Sequence, residues 1–227
     1  VSAQTKSFPA EAVEIPAGTR RLKGLLSIPS EAAAIVLFAH GSGSSRLSSR
    51  NQFVASLLNR AGVATLLFDL LDEAEAEDRE NVFDILLLAQ RLEEAAAWSR
   101  ARPQMRDCRL GYFGASTGAA AALVAAAHGP ALVDAVVSRG GRPDLATEFL
   151  PRVEAPTLLI VGENDDVVVE LNRQAFDGLR CEKRLEIVPG ATHLFAEPGA
   201  LEQVAELASK WFERHLVPSR PAKPVRS

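Results

Sequence analysis

The chain has 227 residues, 25 Lys plus Arg against 29 Asp plus Glu for a net charge of −4, and 47% hydrophobic content. That apolar fraction excludes a disordered chain, and the length suits one large domain around a single core. The acidic balance supplies no basic field for nucleic acid, and charges break every apolar run before the roughly 20 residues of a membrane span, so neither nucleic acid nor membrane is expected as a partner.

Residues 1–11 read as an N-terminal segment ahead of a domain at 12–217. Residues 12–16 and 20–28, split by Ala17-Gly18-Thr19, read as two antiparallel strands on a tight turn. From about residue 30, short apolar runs alternate with longer helical patterns, the signature of a parallel sheet with crossover helices. The runs lie at 34–39, 63–71, 109–113, 132–138, 157–161 and 184–188. Most are continuously apolar, as strands covered on both faces should be. Helices are predicted at 51–60, 82–100, 116–128 and 199–215, and the acidic stretch 73–80 reads as a solvated surface loop. Insertions between strands are short, which leaves no room for a separate lid. Residues 218–227, with Arg220, Lys223 and Arg226 between prolines, read as a flexible basic tail. Cys108 and Cys181 match no metal-ligand or C-x-x-C spacing and read as buried free thiols of a reducing compartment. The residues given begin at Val1, without the native N-terminus, and show no signal peptide; the cytoplasm is the default expectation for location.

The chemistry concentrates in Gly114-Ala115-Ser116-Thr117-Gly118. A G-x-S-x-G pentapeptide is common by chance, but this one follows a strand and opens an Ala-rich helix, as a nucleophile elbow requires. Glycines two positions either side of the serine fit a strained turn with no room for side chains. The plainer reading makes Ser116 an N-cap. A serine hydroxyl needs a base, and the base needs an orienting acid. Of the four histidines, His128 and His215 sit on helices and His40 ends a strand. His193 lies in the loop after the last strand, at the sheet edge where a base must be. The acid comes from Glu163-Asn164-Asp165-Asp166, with Asp165 ahead of Asp166 and Glu163, although an Asx turn ending the strand is the alternative. The order Ser116, Asp165, His193 is that of one triad-bearing fold. The loop His40-Gly41-Ser42-Gly43-Ser44-Ser45 is a source of oxyanion donors, with the amides of Ser42 and Thr117 expected in that role. It lacks the spacing of a phosphate-binding glycine loop.

With these pieces the chain resembles the α/β-hydrolases, and within them the small lidless enzymes of the dienelactone hydrolase family. The resemblance spans about residues 12–217 and rests on F-A-H-G-S-G-S-S-R, G-Y-F-G-A-S-T-G-A-A-A-A-L, A-V-V-S-R-G-G-R-P-D-L-A, A-P-T-L-L-I-V-G-E-N-D-D-V-V and I-V-P-G-A-T-H-L-F-A-E-P-G. It implies an α/β fold with an eight-stranded, mostly parallel sheet whose second strand is antiparallel, helices on both faces, and a triad of Ser116, Asp165 and His193. Dienelactone hydrolases carry a cysteine nucleophile where this chain has Ser116, which favours a serine esterase. Relatives with this pattern are often fused to phosphoribosyltransferases, but no such segment is recognisable here and that activity is not carried over.

The expected reaction is cleavage of small or short-chain esters through an acyl-enzyme, with no metal and no cofactor. The pocket is expected from residues 44–50, 70–78 and 139–143, with Arg139, Arg142 and Phe195 as substrate-binding candidates. Thioesterase, peptidase or acyltransferase activity on the same triad, or a non-catalytic binding protein, are the alternatives. A homodimer is an allowed assembly.

Overall fold

A computed structural model describes residues 9–217. Residues 1–8 and the expected tail at 218–227 lie outside the described residues. The elements run β1 (Glu11–Ala17), β2 (Arg20–Ser27), β3 (Ala34–Ala39), α1 (Ser49–Arg60), β4 (Ala64–Phe68), α2 (Glu73–Glu77), α3 (Arg79–Phe83), α4 (Ile85–Ala101), β5 (Arg109–Ala115), α5 (Thr117–His128), β6 (Ala135–Arg139), β7 (Thr157–Gly162), α6 (Asp166–Gly178), β8 (Lys183–Val188) and α7 (Ala200–Leu216). They build one eight-stranded sheet in the order β1-β2-β4-β3-β5-β6-β7-β8. β2 runs antiparallel to both of its neighbours, and every other pairing is parallel. This is an α/β-hydrolase sheet, with no lid domain among the described residues.

Strand composition explains the layers. In β3, Ile35, Leu37 and Ala39 join a core with α4, α5 and α6, while Ala34, Val36 and Phe38 face α1 and α7. Both faces are covered, so every residue of β3, β4, β6 and β7 is buried. The near-continuous alanines of α5 let that helix lie close against the sheet; residues 117–127 are all buried.

The sequence expectations hold for strand number and direction and fail locally. Residues 130–132 form a 3-10 turn, so β6 starts at Ala135 rather than at 132. The acidic stretch is not a solvated loop: it folds into α2 and α3. Asp72 caps α2 by accepting the Glu75 amide, and the Glu75 carboxylate accepts the Asp72 amide in return. Glu75 itself is only 7% exposed and takes Arg91 at 2.8 Å. α6 follows Asp165 and buries Val168, Val169, Asn172 and Ala175 on one face, a helix the sequence reading did not place. Both cysteines are free and half-buried, and burial raises both thiols above their ordinary pKa.

Chain direction reverses its lateral course between β3 and β5. The β3–α1–β4 connection moves toward one edge and β5–α5–β6 toward the other. A crevice opens at such a switch point, at the carboxyl ends of the strands.

Candidate active site

Ser116 stands at that switch point, immediately after β5. Its backbone has φ +51° and ψ −119°, a conformation that costs a non-glycine residue about 1–3 kcal/mol. Neighbouring glycines make the turn sterically possible. A Cβ on Gly114 would lie 2.4 Å from Ala119 Cα, and one on Gly118 would lie 2.3 Å from the Ala39 carbonyl oxygen. The turn is pinned on both sides: the Ser116 amide donates to Arg139 O at 3.2 Å, and its carbonyl accepts from the amides of Ala119 and Arg142, each at 3.1 Å. Its side chain does not cap α5, which sets aside the N-cap reading.

The expected acid and base lie just after β7 and β8. Asp165 precedes α6, but its carboxylate makes no capping bond there; Oδ2 lies 2.6 Å from Nδ1 of His193. Its rivals point elsewhere. Glu163 accepts the Gly190 amide at 2.8 Å, and Asp166 is exposed in the first turn of α6. The His193 loop is braced at its base, where Thr192 gives its amide and its hydroxyl to Glu197 at 3.1 and 2.6 Å. Those two bonds hold the Glu197 carboxyl below its ordinary pKa. The imidazole lies against Gly140, where a Cβ would sit 3.5 Å from the ring. Gly140 follows Arg139, whose carbonyl receives the Ser116 amide. Serine and histidine are therefore neighbours through one short backbone segment, although Ser116 Oγ and the imidazole share no hydrogen bond in this conformation. Such bonds often close only when substrate binds.

Ser42 and Thr117 are also brought together, with a detail the sequence did not carry. The Ser42 amide donates to Thr117 Oγ1 at 2.9 Å. The expected donor thus already has an acceptor, one residue past Ser116. His40 shapes the same loop: Nδ1 donates to Gly41 O at 3.0 Å and Nε2 accepts the Leu70 amide at 3.1 Å, the bonds of a neutral ring. Burial lowers its pKa accordingly. His128 pairs with Glu93 and His215 packs on Trp211, both away from the site.

A cavity of about 550 Å³ opens beside Ser42 and Thr117. Its walls come from residues 40–46 and 69–74, with Arg21 and Lys23 from β2. Residues 44–46 and 70–74 were expected there; 139–143 and Phe195 do not line it. Phe195 is 2% exposed and buried beneath the His193 loop. Arg142 gives its Nε and Nη2 donors to Asp144 at 2.8 and 2.7 Å. Arg139 is buried at the end of β6 rather than exposed at the mouth. The β2 contribution was missed because only the antiparallel β2–β4 pairing brings residues 21 and 23 to this edge. No grouping of three or more His, Cys, Asp or Glu suited to a metal ion occurs among the described residues, and no helix there is long and apolar enough to cross a membrane.

The sequence profile of the dienelactone hydrolase family matches residues 22–216. The crystal structure of dienelactone hydrolase from Anabaena variabilis is similar at 55% identity and a TM-score of 0.90, covering 92% of this chain and 99% of that one. Est1E from Butyrivibrio proteoclasticus shares the fold at 16% identity and a TM-score of 0.78, covering 92% and 98% of the two chains. A Mycobacterium tuberculosis protein named "Putative phosphoribosyl transferase" is 56% identical over 212 residues, 93% of this chain but 48% of its own length. The chain thus spans about half the length of the curated relatives it matches.

Proposed function

The chain belongs to the dienelactone hydrolase family, and on that premise we propose that it is a serine hydrolase cleaving small or short-chain carboxylic esters through an acyl-enzyme. One observation carries the reading. Behind the strained Ser116, at the same sheet edge, stands a histidine whose Nδ1 is bonded to Asp165 at 2.6 Å, which leaves Nε2 to take a proton.

In this reading Ser116 Oγ attacks the ester carbonyl while His193 Nε2 removes its proton. Asp165 holds the tautomer with the proton on Nδ1 and stabilises the imidazolium that forms. The amides of Thr117 and Ser42 receive the oxyanion. A full negative charge is a stronger acceptor than a neutral hydroxyl, so the Ser42 amide turns from Thr117 Oγ1 to the substrate oxygen as charge builds. Each such donor is worth about a hundredfold to a thousandfold in rate. His193 then protonates the departing alcohol and activates the water that releases the acid. The cavity takes one limb of the ester. Free, half-buried thiols fit a reducing compartment such as the cytoplasm.

The phosphoribosyl transferase name belongs to relatives about twice as long as the matched region, and that activity is not carried over to this chain. The reading is tested with p-nitrophenyl butyrate. Ser116→Ala should lose at least about a thousandfold in kcat/KM; a variant as active as the parent would overturn it. Thioester, amide and alcohol acceptors in the same assay rank the neighbouring acyl-transfer chemistries.

A further inference from the structure

A second cavity, of about 290 Å³, opens at the end of the sheet opposite Ser116. Leu110 and Tyr112 of β5 form its floor, while α4 and the carboxyl half of α5 flank it through Ala96 and Ala125. Val133 completes the apolar lining, and Leu132, 51% exposed, stands at the rim. No lining residue is shared with the cavity beside Ser42 and Thr117. Tyr112 precedes Ser116 by four positions of extended chain, about 13 Å, so the two spaces are separate.

Polar groups with unused donors converge on this largely apolar space. Tyr112 is 2% exposed, yet its hydroxyl has no hydrogen-bond partner among the described residues, where a buried tyrosine ordinarily finds one. Arg100 gives Nη2 to Leu132 O at 2.6 Å, and its Nε is buried without an acceptor. Burial and then Glu93 raise the phenol above its usual pKa while Arg100 lowers it, so the hydroxyl keeps its proton to donate. The remaining polar pair is already satisfied: His128 Nδ1 lies 2.8 Å from Glu93 Oε1. With one carboxylate and one guanidinium on the same lining, a charged guest meets attraction from one and repulsion from the other. Such a guest is left with its desolvation cost, so a neutral one fits better.

We propose that this cavity binds a small neutral, mostly apolar molecule of one-ring size, whose carbonyl oxygen accepts from the Tyr112 hydroxyl and from Arg100 Nε. A cavity of about 150 Å³ holds benzene, so about 290 Å³ leaves room for a substituted ring. Its carbons replace water against Ala96, Leu110, Ala125 and Val133, and its oxygen satisfies both waiting donors. The site is independent of the serine hydrolase reading and stands whether or not Ser116 is a nucleophile.

Calorimetry of the full chain with acetophenone, toluene and benzoate decides it. Acetophenone should bind with a Kd below about 1 mM, and both toluene, which lacks the oxygen, and benzoate, which is charged, should bind more weakly. Tyr112→Phe keeps the ring and removes the donor; it should weaken acetophenone about threefold to tenfold and leave toluene unmoved. Arg100→Met, at a half-buried position, should do the same and serves if Tyr112→Phe does not fold. Ala97→Trp, at an exposed position of α4 on the lining, should block the cavity and abolish binding of both. Acetophenone that does not bind the parent would overturn the site and leave a water-filled notch. Binding that survives Ala97→Trp would overturn it too, by placing the ligand elsewhere. Loss in Ala97→Trp alone would overturn the hydrogen-bonded oxygen, and benzoate held more tightly than acetophenone would overturn the neutral guest.

Discussion

Nδ1 of His193 and Oδ2 of Asp165 lie 2.6 Å apart although 28 residues separate them, because β7 and β8 are adjacent parallel strands that deliver both loops to one edge. The contact fixes which carboxylate serves the histidine. Asp165→Asn would present an amide that favours the wrong imidazole tautomer. It should lower kcat for p-nitrophenyl butyrate by about 10⁴, whereas Asp166→Asn should leave it near the parent value. Pre-steady-state acylation rates measure both; a larger loss in Asp166→Asn would reassign the acid.

Strain at Ser116 gives a stability prediction independent of activity. Glycine adopts φ +51° without penalty, whereas alanine does not. Ser116→Gly should therefore be more stable than Ser116→Ala by about 1–2 kcal/mol, although both lack the nucleophile. Urea midpoints settle it, and an alanine variant as stable as the glycine one would mean the turn carries no strain.

The buried pair of Glu75 and Arg91 anchors α2 to α4. Glu75→Gln leaves Arg91 with Glu94 alone and also removes the contact with Arg20 at 3.0 Å, so it should cost on the order of 3 kcal/mol in chemical unfolding. Glu73→Gln, whose parent side chain is exposed and touches only Lys23, should be close to neutral. Equal effects would place the anchor elsewhere.

His40 makes stability depend on pH. Its folded pKa is lowered by burial, so the native state resists a proton that the unfolded chain accepts near pH 6.5. The contribution is intact above about 6.5 and is lost as pH falls from there toward the folded value. His215, lowered by burial as well, acts in the same direction. The drop in unfolding free energy between about pH 7.5 and 5.5 should shrink in His40→Gln, which can still accept the Leu70 amide. An undiminished drop would exclude His40 as a source.

What could be read from the sequence follows how local each signal was. The strands were legible because continuous apolar runs such as A-I-V-L-F-A and T-L-L-I-V suit only doubly covered strands. Ser116 was legible because strand, glycine, serine, glycine and helix are contiguous. The short helix α2 carried a readable cap, Asp72 with Glu75 three residues on, that the density of acidic residues obscured. The fork from Arg142 Nε and Nη2 to Asp144 joins residues only two apart, yet the sequence reading did not pair them. The bond from the Ser42 amide to Thr117 Oγ1 spans 75 residues and depends on β3 lying beside β5. The long contact from Arg139 to Asn51 joins residues 88 positions apart and has no local signal.

Covalent labelling of the intact protein with a fluorophosphonate, mapped by mass spectrometry, tests the central claim most directly. The account predicts a single adduct on Ser116, absent in Ser116→Ala and formed far more slowly in His193→Ala. An unlabelled Ser116, or an adduct that forms as fast without the imidazole, would contradict it.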